Sequence, residues 1–198
     1  MLLALFDDMT QATTQEVERL LPLVSPQRSD EALKYRHTFG QYACLKSYDM
    51  LQRLLTDNGL IPDDASLTFD RGEHGKPTLH DYPGIHFNIS HCHRAIAVVV
   101  DSRPVGIDVE RFTTPDDSLL RYTMNEHEVH EVLAAEHPDQ CFAQLWTRKE
   151  ALVKWQGTGI TTDLKTLLEP LPAAVQLTTT LHNGYACTVA TCGLQINE

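Results

Sequence analysis

Two short runs in this chain carry acids and a base at spacings that suit phosphoryl chemistry. In Gly106-Ile107-Asp108-Val109-Glu110, extended backbone turns successive side chains to opposite faces. Val105, Ile107 and Val109 can therefore face a core while Asp108 and Glu110 share the other side. In Trp146-Thr147-Arg148-Lys149-Glu150-Ala151-Leu152-Val153-Lys154, helical periodicity stacks Glu150 and Lys154 on one face, four residues apart. Two carboxylates from a strand, with a carboxylate and an ammonium from a helix, suit a divalent cation holding a phosphate. If the three acids converge, they need such a partner. Two like charges 4 Å apart repel by about 4 kcal/mol at an effective dielectric near 20.

Each feature also has a plainer reading. An Asp-x-Glu strand is ordinarily a solvated face, and a Glu150–Lys154 pair on an exposed helix contributes about 0.3–0.5 kcal/mol. Lys76 in Gly75-Lys76-Pro77 reads as a turn lysine, and Ser90-His91 as the tip of a hairpin. His86, His91, Cys92 and His93 could suggest zinc, but neighbours on a strand point in alternating directions and cannot all ligate. Gly72 and Gly75 are too few and too irregular for a phosphate loop or dinucleotide fingerprint.

These residues need elements to hold them. A strand is expected at Met1–Phe6, and a helix over Thr13–Leu23 with a Thr13/Glu16 capping box. Ser25-Pro26 opens a helical region, one kinked helix or two, that ends near Asn58-Gly59. A short strand follows at Leu67–Phe69, with a turn over Gly72–Pro77. Ile85–Ile89 and Ala95–Val100 form a hairpin around residues 90–94. Ser102-Arg103-Pro104 turns the chain into the Val105–Glu110 strand. A loop is expected over Thr113–Leu119, then a helix capped by Thr123 and Glu126. The motif helix begins at Pro138 and runs to about Gln156. Val175–Leu181 and Tyr185–Thr191 flank His182-Asn183-Gly184, a hairpin signal. The pattern alone gives an α+β protein with antiparallel sheets.

The 198 residues, 42% of them hydrophobic, are enough to bury a sizeable core. Apolar runs are far too short to span a membrane. Met1–Phe6 is apolar but has no basic leader, and Asp7-Asp8 follow at once, so no signal peptide is expected. The five cysteines include no C-x-x-C pair and read as reduced thiols in a cytoplasmic protein. A net charge of −11 argues against nucleic acid and against acidic membrane as partners.

Together the motifs resemble the phosphopantetheinyl transferases, in particular the longer, two-lobed type that modifies carrier proteins. The matching stretches are Gly75-Lys76-Pro77, Phe87-Asn88-Ile89-Ser90-His91, Gly106–Glu110, Trp146–Lys154 and Gly157-Thr158-Gly159. The resemblance implies two similar α+β lobes, 1–102 and 103–198, related by a pseudo-twofold axis around one cleft. A single chain would then complete the cleft as a monomer. It implies transfer of 4′-phosphopantetheine from coenzyme A to a serine of an acyl or peptidyl carrier protein, releasing adenosine 3′,5′-bisphosphate. Mg²⁺ would be held by Asp108, Glu110 and Glu150, with Glu150 also the base and Lys154 neutralising phosphate charge. Lys76, Ser90, His91, Lys149 and Lys154 would contact coenzyme A, Lys76 at its 3′-phosphate, with Lys149 either at a phosphate or facing the carrier; the basic cluster Lys34, Arg36 and Lys46, where the sequence matches the family poorly, adds further candidates for phosphate. Phe112 would lie either at the carrier interface or in the core. The rival expectations are a metal-dependent phosphodiesterase and a non-catalytic carrier-protein partner. Carrier proteins are usually acidic, so contact with this acidic chain requires a local basic patch or apolar packing.

Overall fold

A computed structural model describes residues 1–159 and 163–193. In chain order its elements are β1 (Leu2–Phe6), α1 (Thr14–Leu20), α2 (Pro26–Leu33), α3 (Thr38–Thr56), β2 (Phe69–Arg71) and β3 (Pro77–Leu79). They continue with β4 (His86–His91), β5 (Ile96–Asp101), β6 (Val105–Arg111), α4 (Asp117–Thr123), α5 (Glu126–Ala134), α6 (Pro138–Gln156), β7 (Val175–His182) and β8 (Tyr185–Cys192). The class is α+β, and all strand pairing is antiparallel.

Two three-stranded sheets share one pattern. In β1-β5-β4 and in β6-β8-β7, the last strand in sequence is central and pairs with both others. Period-two burial divides β5 between two cores. Ile96, Val98 and Val100 join Tyr42, Leu45, Leu51 and Leu55 of α3. Ala97 and Val99 instead join Val105, Ile107 and Val109 of β6 with Cys187 and Val189 of β8. The two sheets thus meet through small and β-branched side chains, and each carries a 19-residue helix on its other face, α3 or α6. The expected inward set of β6 is the observed one.

Side chains complete the seam. Asn88 Oδ1 accepts from the Ile107 N–H at 2.9 Å, and Ser90 Oγ accepts from the Val109 N–H at 3.3 Å. β4 thereby satisfies backbone donors of β6 with side-chain oxygens in place of ladder carbonyls.

α6 lies close on β6 because position 106 is glycine. A Cβ there would stand 2.2 Å from Ala151 O and 2.5 Å from Trp155 N. Below the helix, Thr147 Oγ1 and Thr188 Oγ1 are 2.8 Å apart, and Thr188 continues to Thr179 at 2.9 Å. α6 ends at Gly157, whose φ of 73° is left-handed, the conformation a helix terminator of this kind requires.

The Ser25–Gly59 region is two helices, with Ser25 capping α2. Residues 117–119, expected as the end of a loop, instead open α4, capped by Asp116. The capping box of the next helix is Asn125/Glu128, not Thr123/Glu126. The Thr123 hydroxyl already bonds back to Leu119 O, so Thr123 closes α4. Thr13 caps α1, but Glu16 pairs with Arg19 and the expected box is half formed. The short strand before the 72–77 turn starts at Phe69, two residues later than expected. All five thiols are free. Among the described residues no helix is long and apolar enough to cross a membrane.

Candidate active site

Asp108 and Glu110 leave β6 on the face that α6 covers, and Glu150 and Lys154 approach from the helix. Asp108 is 4% exposed. Its Oδ1 accepts from Lys154 Nζ at 2.5 Å and from Ser90 Oγ at 2.8 Å. Lys154 Nζ also donates to Ser90 Oγ at 3.1 Å. The serine hydroxyl therefore serves the Val109 amide, Asp108 and Lys154 at once.

Burial pushes the Glu110 carboxyl up to about 7, reinforced by Asp108 and Glu150 and opposed by Lys154. Glu150 is raised by burial in the same way, with Lys154 opposing and Asp108 adding. The three acids therefore feel one another across the space between β6 and α6, as repelling carboxylates do. The expected three-acid metal cage is not formed: among the described residues no group of three or more His, Cys, Asp or Glu side chains is arranged to hold a metal ion. Here the Lys154 ammonium compensates Asp108. The donor set nevertheless fits a hard divalent cation. It consists of carboxylate oxygens, and Asp108 Oδ2 is buried with no hydrogen-bond partner.

Ser90 and His91 leave β4 on opposite faces. Phe87, Ile89 and His91 form one wall of a cleft of about 510 Å³ that also takes in Arg28, Lys34 and Arg71. His91 also borders a hollow of about 280 Å³ with Glu110 and Arg111. Those two residues border a third hollow, about 360 Å³, lined by Pro115, Leu119, Phe142 and Trp146. The three share residues end to end and make one groove: basic at one end, acidic beside β6, apolar beyond. His91 keeps solvent exposure, but the protein packed around it and the Lys154 and Arg28 charges lower its pKa.

Two lysines do not stand where the resemblance implied. Lys149 is fully buried. Its ammonium donates to Glu128 Oε2 at 2.6 Å, Leu164 O at 2.8 Å and Thr123 O at 2.9 Å. Three donors with three acceptors leave nothing for a phosphate, so Lys149 holds α4, α5 and the 163–166 segment to α6. Lys76 Nζ likewise donates only to carbonyls, at Lys154 (2.6 Å), Val105 (3.1 Å) and Trp155 (3.4 Å). Of the other basic candidates, Lys34 lines the cleft. Lys46 pairs with Asp49 and lies over the Phe6 ring, and Arg36 is exposed. Phe112 is half-buried, and its N–H donates to Gly184 O.

Sequence reasoning missed Arg28 and Arg71. Both grip Glu31, at 2.9 and 2.7 Å, and Arg28 also donates to Cys44 O and Ser47 Oγ. Arg28 lies one turn into α2 and Arg71 at the end of β2. Only the fold brings them together.

Residues 104–194 match the family model described as the 4′-phosphopantetheinyl transferase superfamily. The chain is 30% identical over 152 residues to the 4′-phosphopantetheinyl transferase Sfp of Bacillus subtilis, covering 76% of this chain and 67% of that protein. It is 28% identical over 183 residues to the 4′-phosphopantetheinyl transferase psf-1 of Bacillus pumilus, covering 91% and 78%. It is 35% identical over 106 residues to the 4′-phosphopantetheinyl transferase HetI of a Nostoc species, covering 50% and 45%. The matched segment contains β6 and α6 with Asp108, Glu110, Glu150 and Lys154, and on these grounds the chain belongs to the 4′-phosphopantetheinyl transferase superfamily.

Proposed function

We propose that the chain transfers 4′-phosphopantetheine from coenzyme A to a serine hydroxyl of an acyl or peptidyl carrier protein, with adenosine 3′,5′-bisphosphate as the leaving product. The observation that carries this reading is the pairing of Asp108 with Lys154 between β6 and α6, beside a groove that runs from basic side chains past Glu110 of the same strand to apolar ones.

The nucleotide end belongs in the cleft of Arg28, Lys34, Arg71 and His91, because a phosphate-rich ligand needs cationic donors. The pantetheine arm belongs in the apolar hollow of Leu119, Phe142 and Trp146. The pyrophosphate then lies beside Lys154, whose ammonium balances charge on the bridging oxygens as the bond to phosphorus breaks. Asp108, Glu110 and Glu150 would hold Mg²⁺, which when bound supplies Lewis-acid polarisation of the phosphoryl group. Glu150 takes the proton of the carrier serine. A raised carboxyl is closer in basicity to neutral pH, and such assistance typically contributes about 10²–10⁴-fold.

The halves 1–102 and 103–198 are proposed as two lobes about a pseudo-twofold axis, with the groove between them. The support is their common strand order and the 19-residue helix on each sheet. One chain then contributes every wall, and the protein acts as a monomer in the cytoplasm.

Mass spectrometry of a candidate apo-carrier, incubated with the protein, coenzyme A and Mg²⁺, tests the reading. The expected result is one added phosphopantetheine on serine. No covalent product on any carrier tried, with coenzyme A binding intact, would favour a non-catalytic carrier partner.

A further inference from the structure

Helix α6 carries Glu150 and Lys154 onto the acidic face of β6, where Lys154 meets Asp108, and its position along that strand decides where their heads lie. A helix end leaves its last carbonyls without intrahelical donors. At α6 the Gly157 N–H satisfies Val153 O at 2.9 Å. The next two carbonyls, those of Lys154 and Trp155, are taken by one remote side chain. Lys76, from the turn between β2 and β3, lays its ammonium on both and on Val105 O at the head of β6. A cation at a helix C-terminus is also favoured by the helix dipole.

The surroundings are shaped for this contact. Gly75 holds a φ of 80° in the turn, and Gly72 N–H donates to Lys76 O at 3.0 Å, which aims Lys76 at the helix. A Cβ at Gly157 would stand 3.3 Å from Lys76 Cδ, so the terminating glycine also leaves room for the lysine stem. Burial lowers the pKa of the ammonium, as expected of a cation solvated by carbonyls instead of water.

We infer that Lys76 is a positioning residue for Lys154: its ammonium ties the end of α6 to the head of β6 and so fixes where Lys154 Nζ meets Asp108 and Ser90. Lys76 touches no reacting atom. The inference rests on the transferase reading of the groove.

A double-mutant cycle with two readouts tests it. Wild type, Lys76→Met, Lys154→Ala and the double variant are compared for kcat of transfer from coenzyme A to an apo-carrier. Affinity for adenosine 3′,5′-bisphosphate is measured by calorimetry. Misplacing a group by about 1 Å can cost up to about 10²-fold, so Lys76→Met is expected to lower kcat roughly tenfold. In the Lys154→Ala background the further loss is expected to stay within about twofold, since coupled residues are non-additive. Affinity for the nucleotide is expected to change by less than about twofold.

Equal losses in both backgrounds would overturn the inference, because Lys76 would then act independently of Lys154. A large loss of nucleotide affinity would overturn it in favour of a 3′-phosphate contact. If Lys76→Met melts below the assay temperature, the cycle is run with Lys76→Gln, which keeps a donor to the helix end and is expected to show the same non-additivity with a smaller loss. Absence of transfer in the wild type would sink the transferase reading itself. A normal wild type with an additive cycle would sink only the role given to Lys76.

Discussion

The two halves use the same strand order and the same length of long helix, yet they hold their helices differently. α3 packs on its sheet through large side chains, with Tyr42, Leu45, Leu51 and Leu55 interleaved with Ile96, Val98 and Val100. α6 packs on β6 almost backbone to backbone at Gly106, and its buried face includes Thr147 and Lys149. The first arrangement keeps a helix in place and leaves a cleft beside it. The second sets a helix so close to a strand that acids on one reach a lysine on the other. Apolar interdigitation tolerates small shifts, whereas a backbone contact and a set of charged hydrogen bonds do not.

Substitutions can break that contrast. The largest effect is expected from Asp108→Asn, which keeps an acceptor for Ser90 but removes the charge facing Lys154. Transfer should fall by about 10²–10³-fold, in the range for losing one preorganised electrostatic contact. Steady-state kinetics on a carrier would check this, and near-normal activity would remove Asp108 from the chemistry. A carboxylate 4% exposed also supports its neighbours, so Asp108→Ala should lower the melting temperature as well.

Gly106→Ala should destabilise by more than the ~1–3 kcal/mol usual for overpacking, because the obstacle is backbone. Val98→Ala, the opposite kind of change under α3, should cost about 0.5–3 kcal/mol, below a Leu→Ala truncation. Denaturant melts of the two variants compare them directly. If Gly106→Ala is the milder, α6 has freedom that the structure denies it.

Lys149→Met should cost about 3–5 kcal/mol by leaving Glu128 buried without its cation. Adding Glu128→Gln should restore part of the loss. An additive double variant would show that the pair is not coupled.

Glu110 gives a smaller, pH-dependent effect. Its carboxyl is raised from the ordinary glutamate value near 4.5 to about 7 in the fold, so the folded state holds the proton more tightly than the unfolded chain. That contribution is fully present below about pH 4.5 and is lost as pH rises through about 7. Glu110→Gln should therefore raise the melting temperature at pH 8 and change it little at pH 5. The reverse order would contradict the burial assigned to this carboxyl.

The exposed pair Arg121–Asp117 on α4 should have the smallest effect of all, because solvent screens both charges. Arg121→Ala would establish the baseline for charges outside the groove.

Much of the cluster between β6 and α6 was legible because its residues obey local periods. Period two put Asp108 and Glu110 opposite Val105, Ile107 and Val109, and the four-residue step put Glu150 above Lys154. Other roles depended on distant partners. Nothing near Lys149 in sequence marks it as buried, because its acceptors come from Thr123, Glu128 and Leu164. Lys76 reads as a turn lysine until the end of α6 is placed against it. The start of α4 read as loop because its polar residues and the preceding proline hide a helix of about two turns capped by Asp116. Arg28 and Arg71 meet only through Glu31 and the folding of β2 onto α2.

The hydroxyl chain of Thr147, Thr188 and Thr179 under α6 has an electrical consequence. It anchors the helix beneath the carboxylates without bringing a formal charge of its own. The Thr147 hydroxyl donates to Gln144 O at 3.1 Å, so Thr188 donates to Thr147 and Thr179 to Thr188, and the chain runs one way with each hydroxyl proton used. The potential beside β6 is then set by Lys154 and the acids alone, with a neutral foundation beneath them.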